Sequence, residues 1–377
     1  MRVLQVVQHL GLGGAEQVVI DLARGLALEG CEVEIASVYE PGERASDLSG
    51  DGICVHTVGK RRGPDPQALA SLVRLMRRLR PEVVHTHTYT SSVYGRVAAT
   101  LARVPVVVHT EHAVGAPDWH YGAAGLLLPP LRWVTACTVV FSEYGARQIV
   151  RRKRARPGRV AVIPNGVPVY DESAAPCGRD ELRRSLGVRA DQLLVLSTGG
   201  LRQQKRFDRL VDAAGMVPEC WTDRLLFAIA GTGPLRDSLR DQIATCGARV
   251  LLLGPRDDIR RLTRASDIYL CTSEWESMPL SALEAMADGL PVVGVDIPGL
   301  EELLADGRGI LTPAQPAAIA RALAALAGSE AARRAIAEKA KEYVRAEHSV
   351  GRMVERHAEL YRELLAAECD SCGNLAP

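Results

Sequence analysis

Short apolar runs alternate with helix-periodic stretches along almost the whole chain, and the alternation runs twice. In the first series Val3–Gln8, Glu32–Tyr39, Cys54–Val58, Val83–Thr86, Val104–Thr110, Thr138–Ser142 and Val160–Ile163 read as strands. Between them lie helical stretches at Ala15–Leu28 (closed by Gly30), Pro66–Leu79, Ser91–Arg103 and from Glu143 to about Arg151. Strands separated by helices need crossover connections, so the sheet is expected to be parallel, doubly wound and covered on both faces. Pro164-Asn165-Gly166-Val167 is a turn, and residues 168–178 have turn composition without periodicity, so the chain is expected to change domain there. The second series has strands at Leu193–Ser197, Leu225–Ala230, Val250–Leu253, Ile268–Thr272 and Val292–Val295, with helices at Phe207–Met216, Pro234–Cys246 and Ile259–Ala265. Three more helices, Ala314–Ala327, Glu330–Val344 and Ser349–Ala367, close the chain. The expected fold class is α/β, as two tandem Rossmann-like domains.

Chain length agrees, since 377 residues suit two domains of ordinary size. A net charge of +1 gives no global signal for nucleic acid. No apolar run reaches membrane-spanning length, and the residues after Met1 read as a strand rather than a leader. Nine scattered cysteines do not suggest a disulfide framework, so a cytoplasmic, reducing home is expected. Cys369 and Cys372 form a C-x-x-C without a second pair and read as a tail feature.

The chemistry concentrates in Asp267–Ala287. The apolar strand gives way to polar Ser273–Ser277, and Pro279 stands where a first helical turn tolerates proline. Leu280, Ala282, Leu283, Met286 and Ala287 then recur at helical spacing. Backbone amides of Ser277, Met278, Pro279's neighbourhood and Leu280 are expected to face a ligand at the carboxyl edge of the sheet, where the helix dipole favours an anion. Glu276 precedes the helix and Glu284 lies within it. Amides for phosphate and carboxylates for hydroxyls suit a nucleotide-activated sugar.

In the setting SEWESMPLSALEAMA (273–287), the two glutamates with Pro279 between them resemble the signature of retaining glycosyltransferases of family four. The resemblance implies the glycosyltransferase B-type fold, with an acceptor-side domain (1–167), a donor-binding domain (168–354) and a last helix, about 355–377, returning to the first domain. It implies that Glu276 holds sugar hydroxyls and Glu284 the ribose. Lys205, in Gly199–Lys205 (GGLRQQK), matches the lysine on the donor diphosphate, but Gly200 stands where the family has arginine. Arg202 or Arg206 is left to supply that charge. Gly13, Gly14 and Glu16 match a Gly-Gly-x-Glu loop that lies against the donor, and the alternative is a plain strand-to-helix turn. His112, in H-T-E-H, resembles the histidine that meets the transferred sugar. Gly231 and Gly233 would admit a substrate close to backbone, and Arg256 ends the strand where the family holds the base. The catalytic set is therefore His112, Lys205 and Glu276, acting on a nucleotide diphosphate sugar, with UDP-sugar expected. No Asp-x-Asp pair is present, so no metal and no cofactor are expected.

Other residues stay open. His85, His87 and His109 crowd two strand ends as structural or acceptor-side groups, and their spacing alone permits zinc. Apolar Trp119–Val134, basic Arg151–Arg156 and Arg74, Arg77, Arg78 and Arg80 fit either a folded interior and a solvated face or contact with an anionic membrane. The expected acceptor is a glycan, a lipid-linked sugar or a small molecule in cell-surface polysaccharide or lipid-linked glycan synthesis. A nucleotide-sugar epimerase, a non-catalytic nucleotide-sugar binding protein and an NAD dehydrogenase are the rival readings. The glycine fingerprint of the last is incomplete.

Overall fold

The computed structural model describes residues 1–116, 128–170 and 178–373, with side chains to 370. The chain forms two compact units, one of Met1–Gly166 with the terminal helix Val350–Gly373, the other of Val167–Ser349. The division falls one residue before the position read from the sequence.

The first unit is a seven-stranded sheet: β1 (Arg2–Val7), β2 (Glu32–Ser37), β3 (Cys54–Thr57), β4 (Val83–His87), β5 (Val106–Thr110), β6 (Cys137–Val140) and β7 (Val160–Val162). The spatial order is β3-β2-β1-β4-β5-β6-β7, and every pairing is parallel. One face packs Leu4, Val6, Val84 and Val107 against Leu72, Met76, Ala98 and Ala99 of helices Pro66–Leu79 and Tyr89–Ala102. The terminal helix buries Met353, Val354, His357, Ala358 and Tyr361, a stripe at helical spacing. It packs on the helix Gly14–Leu28. Gly25 is required at that crossing, since a Cβ there would stand 2.2 Å from Val354 Cγ2.

The second unit has six strands: β8 (Leu193–Thr198), β9 (Leu225–Ala230), β10 (Val250–Gly254), β11 (Ile268–Cys271), β12 (Val292–Val295) and β13 (Ile310–Thr312). They run β10-β9-β8-β11-β12-β13, again parallel. Val195, Phe227, Leu270 and Val293 meet Leu210 and Leu323 in its core. Both sheets reverse their winding once, between β1 and β4 and between β8 and β11, and open α/β sheets take their ligands at such points.

Several boundaries differ from expectation. β11 ends at Cys271 rather than Thr272, and Pro279 is the N-cap of helix Leu280–Ala287 rather than a residue of its first turn. Its ψ of 112° is extended, while its carbonyl already accepts from Ala282 and Leu283 N–H. The terminal helix starts at Val350, one residue after the expected Ser349, and it belongs to the first unit from Val350 rather than from about 355. Strand β13 and helices Arg179–Ser185 and Pro298–Leu304 were not read from the sequence, being too short to show a period.

Candidate functional site

In the second unit the residues singled out gather around the β8–β11 switch point. The loop after β8 is stitched to the loop after β11 by its own polar groups. Gln204 donates to the Trp275 carbonyl (3.0 Å), Glu274 N–H donates to the Gln204 carbonyl (2.8 Å), and Thr272 Oγ1 donates to the Lys205 carbonyl (3.0 Å). That lattice brings Lys205 Nζ to 2.7 Å from Glu276 Oε1. Ser273 Oγ donates to the same oxygen at 2.8 Å. Among the described residues no partner holds Oε2. Both side chains are largely covered, at 21% and 10% exposure.

Burial works against the Lys205 ammonium, but the adjacent Glu276 carboxylate more than offsets it and holds the pKa above the usual lysine value. The site therefore keeps a fixed ion pair at the sheet edge. Glycine 299, on helix Pro298–Leu304, completes the cradle: a Cβ there would lie 2.2 Å from the Glu276 carbonyl oxygen. Sequence reasoning missed it, although an I-P-G-L step after a strand was the available signal.

The Gly200 position resolves into a geometric answer. Arg206 is committed, with Nε and Nη2 on Asp208 and Nη1 on Glu274 at 2.7 Å. Arg202 is exposed, and no ion pair holds it among the described residues. Its side chain lies over Gly200, where a Cβ would stand 3.5 Å from Arg202 Nε. An arginine two residues later thus stands beside the place where the arginine is missing.

Gly231 and Gly233 are required by the chain's own backbone. Gly231 has φ 147°, and a Cβ would meet the Gly199 carbonyl oxygen at 1.9 Å. At Gly233 it would meet the Leu201 carbonyl oxygen at 2.6 Å. The close approach is made by the β8 loop's own backbone, so these glycines set the loop that carries Arg202 and Lys205. Arg256 forms a two-pronged pair with Asp258 (2.7 and 2.6 Å). Met278 is buried, Ser277, Leu280 and Glu284 are half-buried, and no side chain caps helix Leu280–Ala287.

In the first unit the same strand-end logic assembles neutral groups. Gly13 is the N-cap of helix Gly14–Leu28. Glu16 folds back over it, its carboxylate 3.7 Å from His9 Nδ1 and its side chain 15% exposed. His85 and His87 point to one face of β4 and are buried. His109 lies on the opposite face, its ring bonded to Thr86, and takes no part in the cluster. His112 follows β5 and meets His87, Nε2 to Nδ1, at 3.2 Å. Burial holds all four below the ordinary histidine pKa, His112 at about 3. Among the described residues no group of three or more His, Cys, Asp or Glu converges to hold a metal, so the zinc option for these histidines has no geometry behind it. His357 and Tyr361, which join the cluster from the terminal helix, gave no sequence signal beyond their place in an amphipathic stripe.

The basic block Arg151–Arg156 is partly consumed by folding. Arg154 is buried, Arg152 donates to the Ala116 carbonyl (2.9 Å) and Arg156 to the Thr135 carbonyl (3.2 Å). Trp133 stays 64% exposed between the guanidinium groups of Arg132 and Arg156. Most of Trp119–Val134 lies outside the described residues, as does the side chain of Cys372. Among the described residues no helix is long and apolar enough to cross a membrane.

Tandem parallel sheets with a lysine–glutamate pair at the second switch point define a B-type glycosyltransferase scaffold, and comparison with known proteins gives the same class. The chain belongs to the group 1, family 4 glycosyltransferases. Residues 178–343 match the family described as glycosyl transferases group 1, and residues 12–170 match Glycosyltransferase Family 4. It is 30% identical to a D-inositol 3-phosphate glycosyltransferase of Xylanimonas cellulosilytica, over 87% of either chain. It is 31% identical to the UDP-Gal:alpha-D-GlcNAc-diphosphoundecaprenol alpha-1,3-galactosyltransferase of Escherichia coli, over 62% of this chain. That match spans 63% of the E. coli protein, a little under two-thirds of its length. The fold is similar to the crystal structure of Anabaena Alr3699/HepE in complex with UDP and glucose, with a TM-score of 0.85 at 24% identity, covering 96% of this chain and all of that one.

Proposed function

We propose that the chain is a retaining glycosyltransferase that takes a sugar from a UDP-sugar and passes it to a lipid-linked or polysaccharide acceptor. The observation that carries this reading is the Lys205–Glu276 pair at the β8–β11 switch point, with Arg202 beside it. Breaking the anomeric C–O bond leaves positive charge on the sugar and negative charge on the diphosphate oxygen. Catalysis therefore requires fixed positive charge at that oxygen. Lys205 supplies one charge, and Arg202 supplies the one absent at Gly200, so transfer needs no divalent metal. Glu276 is held through Oε1 and offers Oε2 to sugar hydroxyls. Glu284 receives the ribose, and the Ser277–Leu280 amides and Arg256 complete the donor site. Within the first unit, His112, Gly13, Gly14 and Glu16 are the candidate sugar contacts. The acceptor hydroxyl gives its proton to the departing phosphate oxygen, while Glu276 Oε2 stays on the sugar hydroxyls.

The lipid-linked acceptor is supported by the E. coli relative, whose name specifies a diphosphoundecaprenol acceptor, and by exposed Trp133 between two arginines. Such a group suits an anionic membrane surface, so we place the protein in the cytoplasm at the inner membrane face. The test is UDP release from a panel of UDP-sugars with and without an N-acetylglucosaminyl diphospholipid. The expected result is acceptor-dependent release with an α-linked product. Conversion of donor without acceptor would indicate an epimerase, and binding without turnover across the panel would indicate a non-catalytic binding protein.

A further inference from the structure

The first unit holds a buried histidine cluster that the proposed reaction uses only at one end. His85 is fully buried on β4, and both of its ring nitrogens are engaged: Nδ1 with Tyr361 Oη at 2.5 Å, Nε2 with Thr110 Oγ1 at 2.7 Å. A ring held at both nitrogens cannot rotate. His87 lies two residues on, on the same face, its ring centroid 4.0 Å from that of His85 and tilted by 41°. The His357 ring centroid lies 5.6 Å from that of His85, and its Nδ1–H donates to the Met353 carbonyl at 2.8 Å. His87 in turn meets His112, Nδ1 to Nε2, at 3.2 Å. The next residue, Thr88, has φ 61° and ψ −177°, a backbone region that side-chain-bearing residues rarely enter. Strained backbone persists where its surroundings over-determine it, and here it sits at the switch point of the first sheet.

Proton bookkeeping fixes the direction of the His87–His112 bond. The rings are kept neutral by burial, so each carries one proton, and one proton lies between the two facing nitrogens. His87 Nε2 is buried and has no hydrogen-bond partner among the described residues. If His112 donated, His87 would carry its own proton on Nε2 as a buried, unpaired N–H. If His87 donates from Nδ1, Nε2 is a bare acceptor. Orphaned buried donors are the rarer and more costly defect. The second arrangement is therefore favoured, and it leaves the His112 proton on Nδ1.

We propose that His87 is a positioning residue: its Nδ1–H donates to His112 Nε2 and holds that ring as the Nδ1–H tautomer, while the terminal helix holds His87 through Tyr361 and His85. The last helix of the chain is thereby part of the apparatus that aims His112, although it lies some 270 residues from β4 in sequence (|i−j| = 276 for His85 and Tyr361). The proposal rests on His112 as the residue that meets the transferred sugar.

The test has two arms on the full-length chain. Side-chain nitrogen NMR of the histidines needs no substrate. It should show His87 Nδ1 and His112 Nδ1 protonated and His112 Nε2 bare, and Tyr361→Phe should shift the His85 and His87 signals together. The second arm compares turnover of the UDP-sugar accepted in the assay above. His87→Leu should lower kcat about 10- to 100-fold, the scale of a misaimed group, with KM for the donor within about twofold. His87→Asn, whose amide sits where Nδ1 was, should recover most of the loss, and His87→Leu should add nothing to His112→Ala. A proton on His112 Nε2, equal losses in Leu and Asn variants, or additive losses with His112→Ala would overturn the proposal. Full turnover by His112→Ala would overturn it as well, yet would leave donor binding by the second unit untouched, so the two readings fail separately.

Discussion

The two units share one topology and treat buried polar groups in opposite ways. At the second switch point a cation and an anion are covered together, and Glu276 more than offsets the lowering of the Lys205 pKa by burial. At the first switch point the covered groups are imidazoles whose neighbours are other imidazoles, so burial prevails and they lose their charge. One unit therefore presents fixed charge and the other presents neutral hydrogen-bonding groups of defined tautomer. The comparison also shows how each is held: Lys205 and Glu276 by contacts between two adjacent strand ends, the histidines by a helix from the far end of the chain.

The contrast within the charged unit gives the larger effect. Arg202→Ala should weaken UDP binding about 10- to 100-fold, the loss of one charge-assisted contact. Arg206→Ala should leave UDP affinity within about twofold, because that guanidinium is already spent on Asp208 and Glu274. Titration calorimetry of the two variants decides it. The reverse pattern would place the second charge on Arg206.

A smaller effect separates the units by pH. The folded-state pKa of the cluster histidines lies below the unfolded value near 6.5, with His112 at about 3 and His357 at about 4. The unfolded chain therefore binds the extra protons, so this stability is present above pH 6.5 and is lost as pH falls toward 4. His357 alone costs about 1 kcal/mol between pH 7 and 5.5. Lys205 is raised, so its contribution holds across that whole range. Hydrogen exchange, corrected for intrinsic rates, should show the first unit losing protection at pH 5.5 while the second keeps it. Equal loss in both would remove the distinction.

The charged site was legible in the sequence because its parts lie in two short motifs and their residue types state their chemistry. Lys205 and Glu276 stand out through the resemblance of their motifs to the family's, but their contact does not, because nothing in those motifs says that the Gln204 and Thr272 hydrogen bonds bring the two loops together. Gly231 and Gly233 show the same limit: a sequence shows that a Cβ is missing, not which atom fills the space. The strands were read well where apolar runs were long, and β13 was lost because three residues carry no period. His357 and Tyr361 were illegible because a buried helix stripe looks the same whether its polar members pack or bond.

In the proposed reaction the second unit binds a nucleoside diphosphate through Lys205 and reserves Glu276 for the sugar. Calorimetric titration of UDP, which lacks the sugar, into the wild type, Lys205→Ala and Glu276→Ala tests it directly. The expected result is binding to the wild type, at least tenfold weaker binding to Lys205→Ala, and binding to Glu276→Ala as tight as the wild type or tighter, since the competing carboxylate is gone. Equal weakening in both variants would mean that the pair only holds the loops together, and unchanged binding in Lys205→Ala would remove the diphosphate from this site.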